Sequence, residues 1–199
     1  MKFNDLYKKL NQHRLYIFNI ADAQKLFPRE KYASLKVLLC WWKKKKWVKS
    51  LKRGLYQLTY PEEKNLPDLY IANRLYEPSY ISLETALSMY SLIPEVAFGV
   101  TSLTTKPTRR FNSFVYHTIR PVAFTGYRLI KQNGFEVRIA ESEKALVDYL
   151  YFKRRKKEAV SGRFEKEAVS KLNKKKIAKY AALYSLDIKK AMEGIYAEL

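Results

Sequence analysis

A chain of 199 residues with 39 Lys and Arg against 19 Asp and Glu carries a formal net charge of +20, which repels itself unless a polyanion is the working partner. A hydrophobic content of 47%, with 16 Tyr and 10 Phe, excludes a low-complexity disordered chain, and the length allows one ordinary domain or two small ones. The lone Cys40 excludes an internal disulfide framework and a multi-cysteine zinc site, and with no secretory apolar core or uncharged apolar run of about 18 residues a cytoplasmic protein is expected, without membrane association.

Phe3, Leu6, Tyr7 and Leu10 recur at helical spacing and predict a first helix ending near His13. Leu15 to Phe18 is short, apolar and partly β-prone. Asn19 then offers a side-chain oxygen to cap a helix over Ile20 to Phe27, with Asp22 suited to its first turn and Pro28 stopping it. Leu35, Leu38, Leu39 and Trp42 predict a third helix from Lys31 to Lys45. Its spacing turns Ala33, Lys36, Val37, Cys40 and Lys44 outward, flanked by Tyr32 and Lys43 on one side and Ser34 and Trp41 on the other. Both Trp41 and Trp42 are nevertheless expected in the core. Trp47–Lys52 and Leu55–Thr59, separated by Arg53-Gly54, predict a two-stranded hairpin. Three helices followed by a basic hairpin make a winged helix-turn-helix, whose third helix enters the DNA major groove.

Pro61 to Asp68 reads as a linker, which gives domains over residues 1–62 and 63–199. Beyond it Ser82 is expected to cap a helix through Ser91, ended by Pro94. Strands follow at Phe98–Thr104, Phe114–Ile119, Tyr127–Ile130 and Phe135–Ile139, the last two joined by an Asn133-Gly134 turn. Ser142 caps a further helix that turns Ala145, Leu146, Tyr149 and Leu150 inward. The tail reads as helical, through Phe164, Ala168 and Leu172, then Ile177, Tyr180, Ala181 and Tyr184, and finally Ile188, Ala191, Met192, Ile195 and Leu199. The expected class is α+β: a winged helix-turn-helix, then a mixed α/β domain with antiparallel strands and a helical tail.

Charge is segregated along these elements. Lys and Arg outnumber Asp and Glu by 15 to 3 over residues 1–60, equal them at 10 to 10 over 61–150, and exceed them by 14 to 6 over 151–199. Solubility alone needs no such segregation, and nucleic-acid contact through the ends explains it better. The expected DNA-binding residues are Arg29, Lys31, Tyr32, Ser34, Lys36, Val37, Lys43, Lys44, Lys49, Lys52 and Arg53, with Lys45 and Lys46 beside them. The cations suit phosphates, whereas Tyr32, Ser34, Lys36 and Val37, near the helix start, are placed to read bases. The bland alternative is that these lysines solvate a helix end.

Enzymatic readings fit poorly, and no cofactor or metal is expected. No two aspartates stand two residues apart, and neither a phosphate-binding glycine loop nor a His-Glu-x-x-His helix occurs. Cys40 has no general base near it in sequence, and His13 and His117 read as structural or exposed. Asp68, Glu84, Glu136 and Glu141 leave a metal-dependent nuclease as a minor alternative, and an RNA- or protein-binding module is the main rival to a DNA reader.

Several runs of the second domain resemble the AbiEi-type antitoxin domain of type IV toxin-antitoxin (abortive-infection) operons. They are PSYISLETALSMYSLIPE from Pro78 to Glu95, VTSLTT from Val100 to Thr105, FTGYR from Phe124 to Arg128 and IAESEKALVD from Ile139 to Asp148. The segment KRGLY from Lys52 to Tyr56 resembles the family's amino-terminal winged helix. The resemblance implies a bifunctional antitoxin. The first domain would bind inverted repeats in its own promoter and repress the operon, and the second would counter a nucleotidyltransferase-like toxin, without a stable complex. Many relatives place Gly between the third helix and the wing; Lys46 stands here, so a less sharp junction is expected.

Overall fold

A computed structural model describes residues 1–157 and 164–184, and the chain is α+β. It divides into two compact units at the Pro67/Asp68 boundary. The expected last helix, Ile188 to Leu199, lies outside the described residues.

The first unit runs α1 (Phe3–Gln12), β1 (Ile17–Asn19), α2 (Ile20–Leu26), α3 (Tyr32–Lys44), β2 (Val48–Lys52) and β3 (Leu55–Leu58). Helix α2 starts where the sequence says it should. The Asp22 N–H donates to Asn19 Oδ1 at 2.9 Å and the Asn19 N–H donates to Asp22 Oδ2 at 3.0 Å, so each residue satisfies an orphan donor of the other. The hairpin is not a free two-stranded wing. Strand β1 pairs antiparallel with β3 and makes the sheet order β1-β3-β2. The reason lies in burial: Ile17 and Phe18 are fully buried, so the backbone groups of this short strand need partners away from water, and β3 supplies them. Phe3, Leu6, Leu10, Phe18, Leu35, Leu39, Trp42 and Val48 form one core. Each such buried side chain contributes roughly 1.5–3 kcal/mol, so α3 is held firmly by its inner stripe.

The second unit adds α4 (Asp68–Leu75), β4 (Ser79–Ile81), α5 (Leu83–Met89), β5 (Val100–Thr104), β6 (Arg109–Phe111), β7 (Phe114–Thr118), β8 (Tyr127–Gln132), β9 (Phe135–Ala140), α6 (Ser142–Arg155), α7 (Lys166–Ser170) and α8 (Lys174–Ala181). Six strands form one sheet in the order β6-β7-β5-β4-β9-β8. It is mixed: β5 pairs parallel with β7 and β4 parallel with β9, while the other pairs are antiparallel. Helix α4, β4 and β6 are elements the sequence reading left out. The two three-residue strands are too short to show alternation, and α4 begins at Asp68, the residue assigned to the end of the linker. Asn73 ties α4 to β9, accepting from the Arg138 N–H at 2.5 Å and donating to its carbonyl at 3.3 Å.

Two expected caps are built otherwise. Ser82 does stand at the start of α5, but its hydroxyl donates to Asp148 Oδ2 at 2.8 Å instead of capping. Ser142 is the first residue of α6, and Glu141 holds the cap position without a side-chain bond. Ser82 belongs to a buried polar knot that sequence reasoning missed. Asp148 Oδ2 also accepts from the Tyr80 hydroxyl at 3.0 Å, and Oδ1 accepts from the Lys144 ammonium and the Tyr184 hydroxyl. Lys144 and Asp148 are wholly inaccessible, and burial holds the Lys144 ammonium below its ordinary pKa. The carboxylate is what makes a charged lysine tolerable there.

Candidate nucleic-acid interface

Helix α3 divides cleanly into two faces. Leu35, Leu39 and Trp42 are buried with Leu38 half-buried, whereas Tyr32, Ala33, Ser34, Lys36, Val37, Cys40, Trp41, Lys43 and Lys44 are all exposed. Val37, at 69% exposure, is an apolar side chain in the middle of that outer face, beside Lys36. A helix of 13 residues is about 20 Å long, enough to lie along a major groove. The N-cap residue Lys31 makes no side-chain cap hydrogen bond and the first turn holds no acid, which leaves that end electropositive. Lys43 and Lys44 occupy its last turn.

The junction between helix and wing is sharp, contrary to the expectation drawn from Lys46. Lys46 itself adopts φ +58°, the left-handed conformation that glycine takes most cheaply. The Trp47 N–H then donates to the Trp42 carbonyl at 2.9 Å and the Lys46 N–H to the Lys43 carbonyl at 3.0 Å, closing the helix. The Thr59 hydroxyl reaches the Lys46 carbonyl at 2.6 Å and anchors the turn to the end of β3. Gly54, at φ +78°, turns the hairpin beside the exposed Arg53. Where α3 meets the hairpin lies a shallow groove of about 540 Å³, walled by Lys43, Lys46 and Lys49 and, on one side, by Glu63.

The predicted residues do not all stand equal. Arg29, Lys31, Lys36, Lys43, Lys44 and Arg53 are exposed and form no ion pair among the described residues. Lys49, by contrast, pairs with Glu63, a carboxylate that also accepts from Gln57 at 3.3 Å. Its charge is therefore partly spent within the protein. Lys52 is half-buried at the end of β2.

Trp41 corrects the expectation of a core residue. Trp42 is 2% exposed and sits against Phe3, but Trp41 is 47% exposed. It meets Trp47 edge-on, and Lys45 Nζ lies 4.1 Å from the Trp41 ring centroid and 5.1 Å from that of Trp47. The outward phase of position 41 on the helix was the signal for this; residue type was the misleading one. A cation stacked on an exposed indole extends the basic face toward the helix end.

Residues with catalytic potential are scattered. His13 and Cys40 are exposed, and His117 is half-buried, its imidazole held below its ordinary pKa chiefly by burial. Among the described residues no three His, Cys, Asp or Glu side chains converge as a metal site, so Asp68, Glu84, Glu136 and Glu141 are not gathered into one. None of the described helices is long and apolar enough to cross a membrane. No protein-family model matches the chain, and no curated protein matches it.

Proposed function

We propose that the chain is a cytoplasmic, non-enzymatic DNA-binding antitoxin of AbiEi type that represses its own operon. In this reading the winged helix binds inverted repeats in the promoter, and the second unit counters a nucleotidyltransferase-like toxin without a stable complex. The observation that carries the DNA-binding part is the outer face of α3. Lys36, Lys43 and Lys44 are exposed there and form no ion pair among the described residues, while the opposite stripe is locked into the core. Phosphates would be met by these cations and by Arg29, Lys31 and Arg53, and bases by Tyr32, Ser34, Lys36 and Val37.

The antitoxin part is supported by where the resembling runs fall. They contain β4 and α5, β5, the start of β8, and the end of β9 with the first half of α6, and β4 lies between β5 and β9 in the sheet. Ser82, Lys144 and Asp148, which join in the buried knot, all belong to those runs.

The test is competition at equal salt between a labelled duplex from the chain's own upstream region and a structured RNA, read by fluorescence anisotropy. A DNA reader prefers its inverted repeats; preference for RNA would replace this reading by an RNA-binding one. Co-expression with a nucleotidyltransferase from the neighbouring reading frame should restore growth, and growth unrestored would remove the antitoxin role.

A further inference from the structure

The second unit contains a cleft that the DNA-binding reading does not use. One chamber, about 410 Å³, is lined by the loop from Glu95 to Gly99, which includes Phe98, and by Arg110. A smaller chamber of about 60 Å³ is bordered by Lys153 and Lys156 at the end of α6. Glu84 and His117 line both, so the two chambers adjoin through this pair. The larger volume lies in the range of small-molecule sites, and the smaller is on the scale of one phosphate group.

Three features show that the cleft is built. Leu83, immediately before Glu84, is buried at φ +56°, a conformation costing a bulky side chain roughly 1–3 kcal/mol, and it fixes Glu84 at the start of α5. Gly99 enters β5 at φ +153°, where any Cβ would fall 2.4 Å from the Ser113 carbonyl oxygen, so the loop is pinned at its base. That loop nonetheless holds Phe98 fully exposed and Val96 83% exposed on the chamber's rim, apolar surface presented where water gains nothing from it. His117 is backed by the Phe152 ring at 5.2 Å, and the Glu84 carboxylate and Lys156 ammonium both act on it.

Few ligands satisfy an aromatic rim, a carboxylate at the waist and cations at the narrow end together. We infer that this cleft binds a nucleoside phosphate: the base stacks on Phe98, the ribose hydroxyls donate to Glu84, and the phosphate sits between Lys153 and Lys156 with His117 beside it. Each contact uses ordinary chemistry, since a base offers a π-face to any aromatic ring, carboxylates accept from ribose hydroxyls, and lysines hold phosphate as point charges. The nucleotide can be free or the terminal residue of an RNA. This site is independent of the winged helix.

Equilibrium dialysis of the full chain against AMP tests it, with adenosine, 2′-deoxyAMP and a short single-stranded RNA as the other probes. AMP should saturate one site per chain and bind about tenfold or more tightly than adenosine. Lys153→Ala with Lys156→Ala should remove that advantage and leave adenosine binding unchanged. Phe98→Ala should weaken both ligands, and Glu84→Ala, which removes the acceptor, should abolish the preference for AMP over 2′-deoxyAMP. If the RNA displaces AMP at lower concentration than AMP itself, the ligand is a terminal nucleotide; if not, it is the free one, and either result upholds the site. Unsaturable AMP binding, binding unaltered by Phe98→Ala, or displacement of AMP by duplex DNA would overturn it, the last by placing AMP on the winged helix. Far-UV circular dichroism of each variant shows that it is folded.

Discussion

Replacing Lys144 by Met should cost the second unit about 3 kcal/mol, the lower end of the range for breaking a buried ion pair. The figure follows from the surroundings of Asp148. Both partners are wholly inaccessible, so removing the ammonium leaves a carboxylate in the interior without a countercharge. Three hydroxyl donors remain, from Tyr80, Ser82 and Tyr184, which is why the upper end is not expected. Adding Asp148→Asn removes the stranded charge, so the double variant should recover much of the loss, with a coupling energy of roughly 1–3 kcal/mol. The assay uses the distribution of tryptophan. Trp41, Trp42 and Trp47 all lie in the first unit, so their emission reports that unit alone, while hydrogen exchange resolved along α5, α6 and β4 reports the second. In urea, exchange protection of the second unit should fall at lower denaturant in Lys144→Met, and the tryptophan transition should not move. A cost below about 1 kcal/mol, or a double variant no more stable than the single one, would refute the reasoning.

Further expectations rest on separate observations. Lys46→Gly relieves the left-handed residue that ends α3 and should stabilise the first unit by about 0.5–1 kcal/mol in a tryptophan-monitored urea transition; destabilisation would mean the turn is held by the lysine side chain. Ser102→Ala deletes a buried hydroxyl that has no hydrogen-bond partner among the described residues and should be neutral or stabilising by up to about 1 kcal/mol, whereas Ser82→Ala should destabilise. The docking of α8 should depend on acid. A hydrogen bond from Lys176 holds the Glu141 carboxyl below its ordinary pKa, so its contribution is present above the usual glutamate range and lost as pH falls through the lowered value. Exchange protection over residues 174–181 should drop in that acid window, and Glu141→Gln should remove the drop.

Legibility in the sequence followed the length and regularity of each element. The three helices of the first unit, the Asn19 cap and the outward phase of Lys36 and Val37 were readable because a 3.6-residue period repeats over several turns. Strand β1 was visible only as a β-prone stretch, since its pairing with β3 is a long-range fact. Strands β4 and β6 hold three residues each and carry no period at all. The parallel pairings of β5 with β7 and β4 with β9 are likewise set by the whole sheet. For the interface, position on the helix was the better guide than residue type: it placed Trp41 outward, where the habit of burying tryptophan did not. Glu63, in the linker five residues before the second unit begins, gave no hint that it would pair with Lys49. The buried knot escaped because nothing in the spacing of Lys144 and Asp148, four apart on α6, distinguishes a buried pair from a surface one.

The salt dependence of binding to the upstream duplex bears most directly on the cationic face of α3 and the wing. With about six phosphates neutralised, affinity should fall about 10³-fold between 50 and 200 mM salt. Lys43→Glu, Lys44→Glu and Arg53→Glu together should flatten that slope by at least about three and weaken every duplex alike, with the tryptophan transition retained. Lys49→Ala, whose charge is already engaged by Glu63, should do far less. Full affinity and an unchanged slope in the triple variant would place DNA, if it binds at all, elsewhere on the chain.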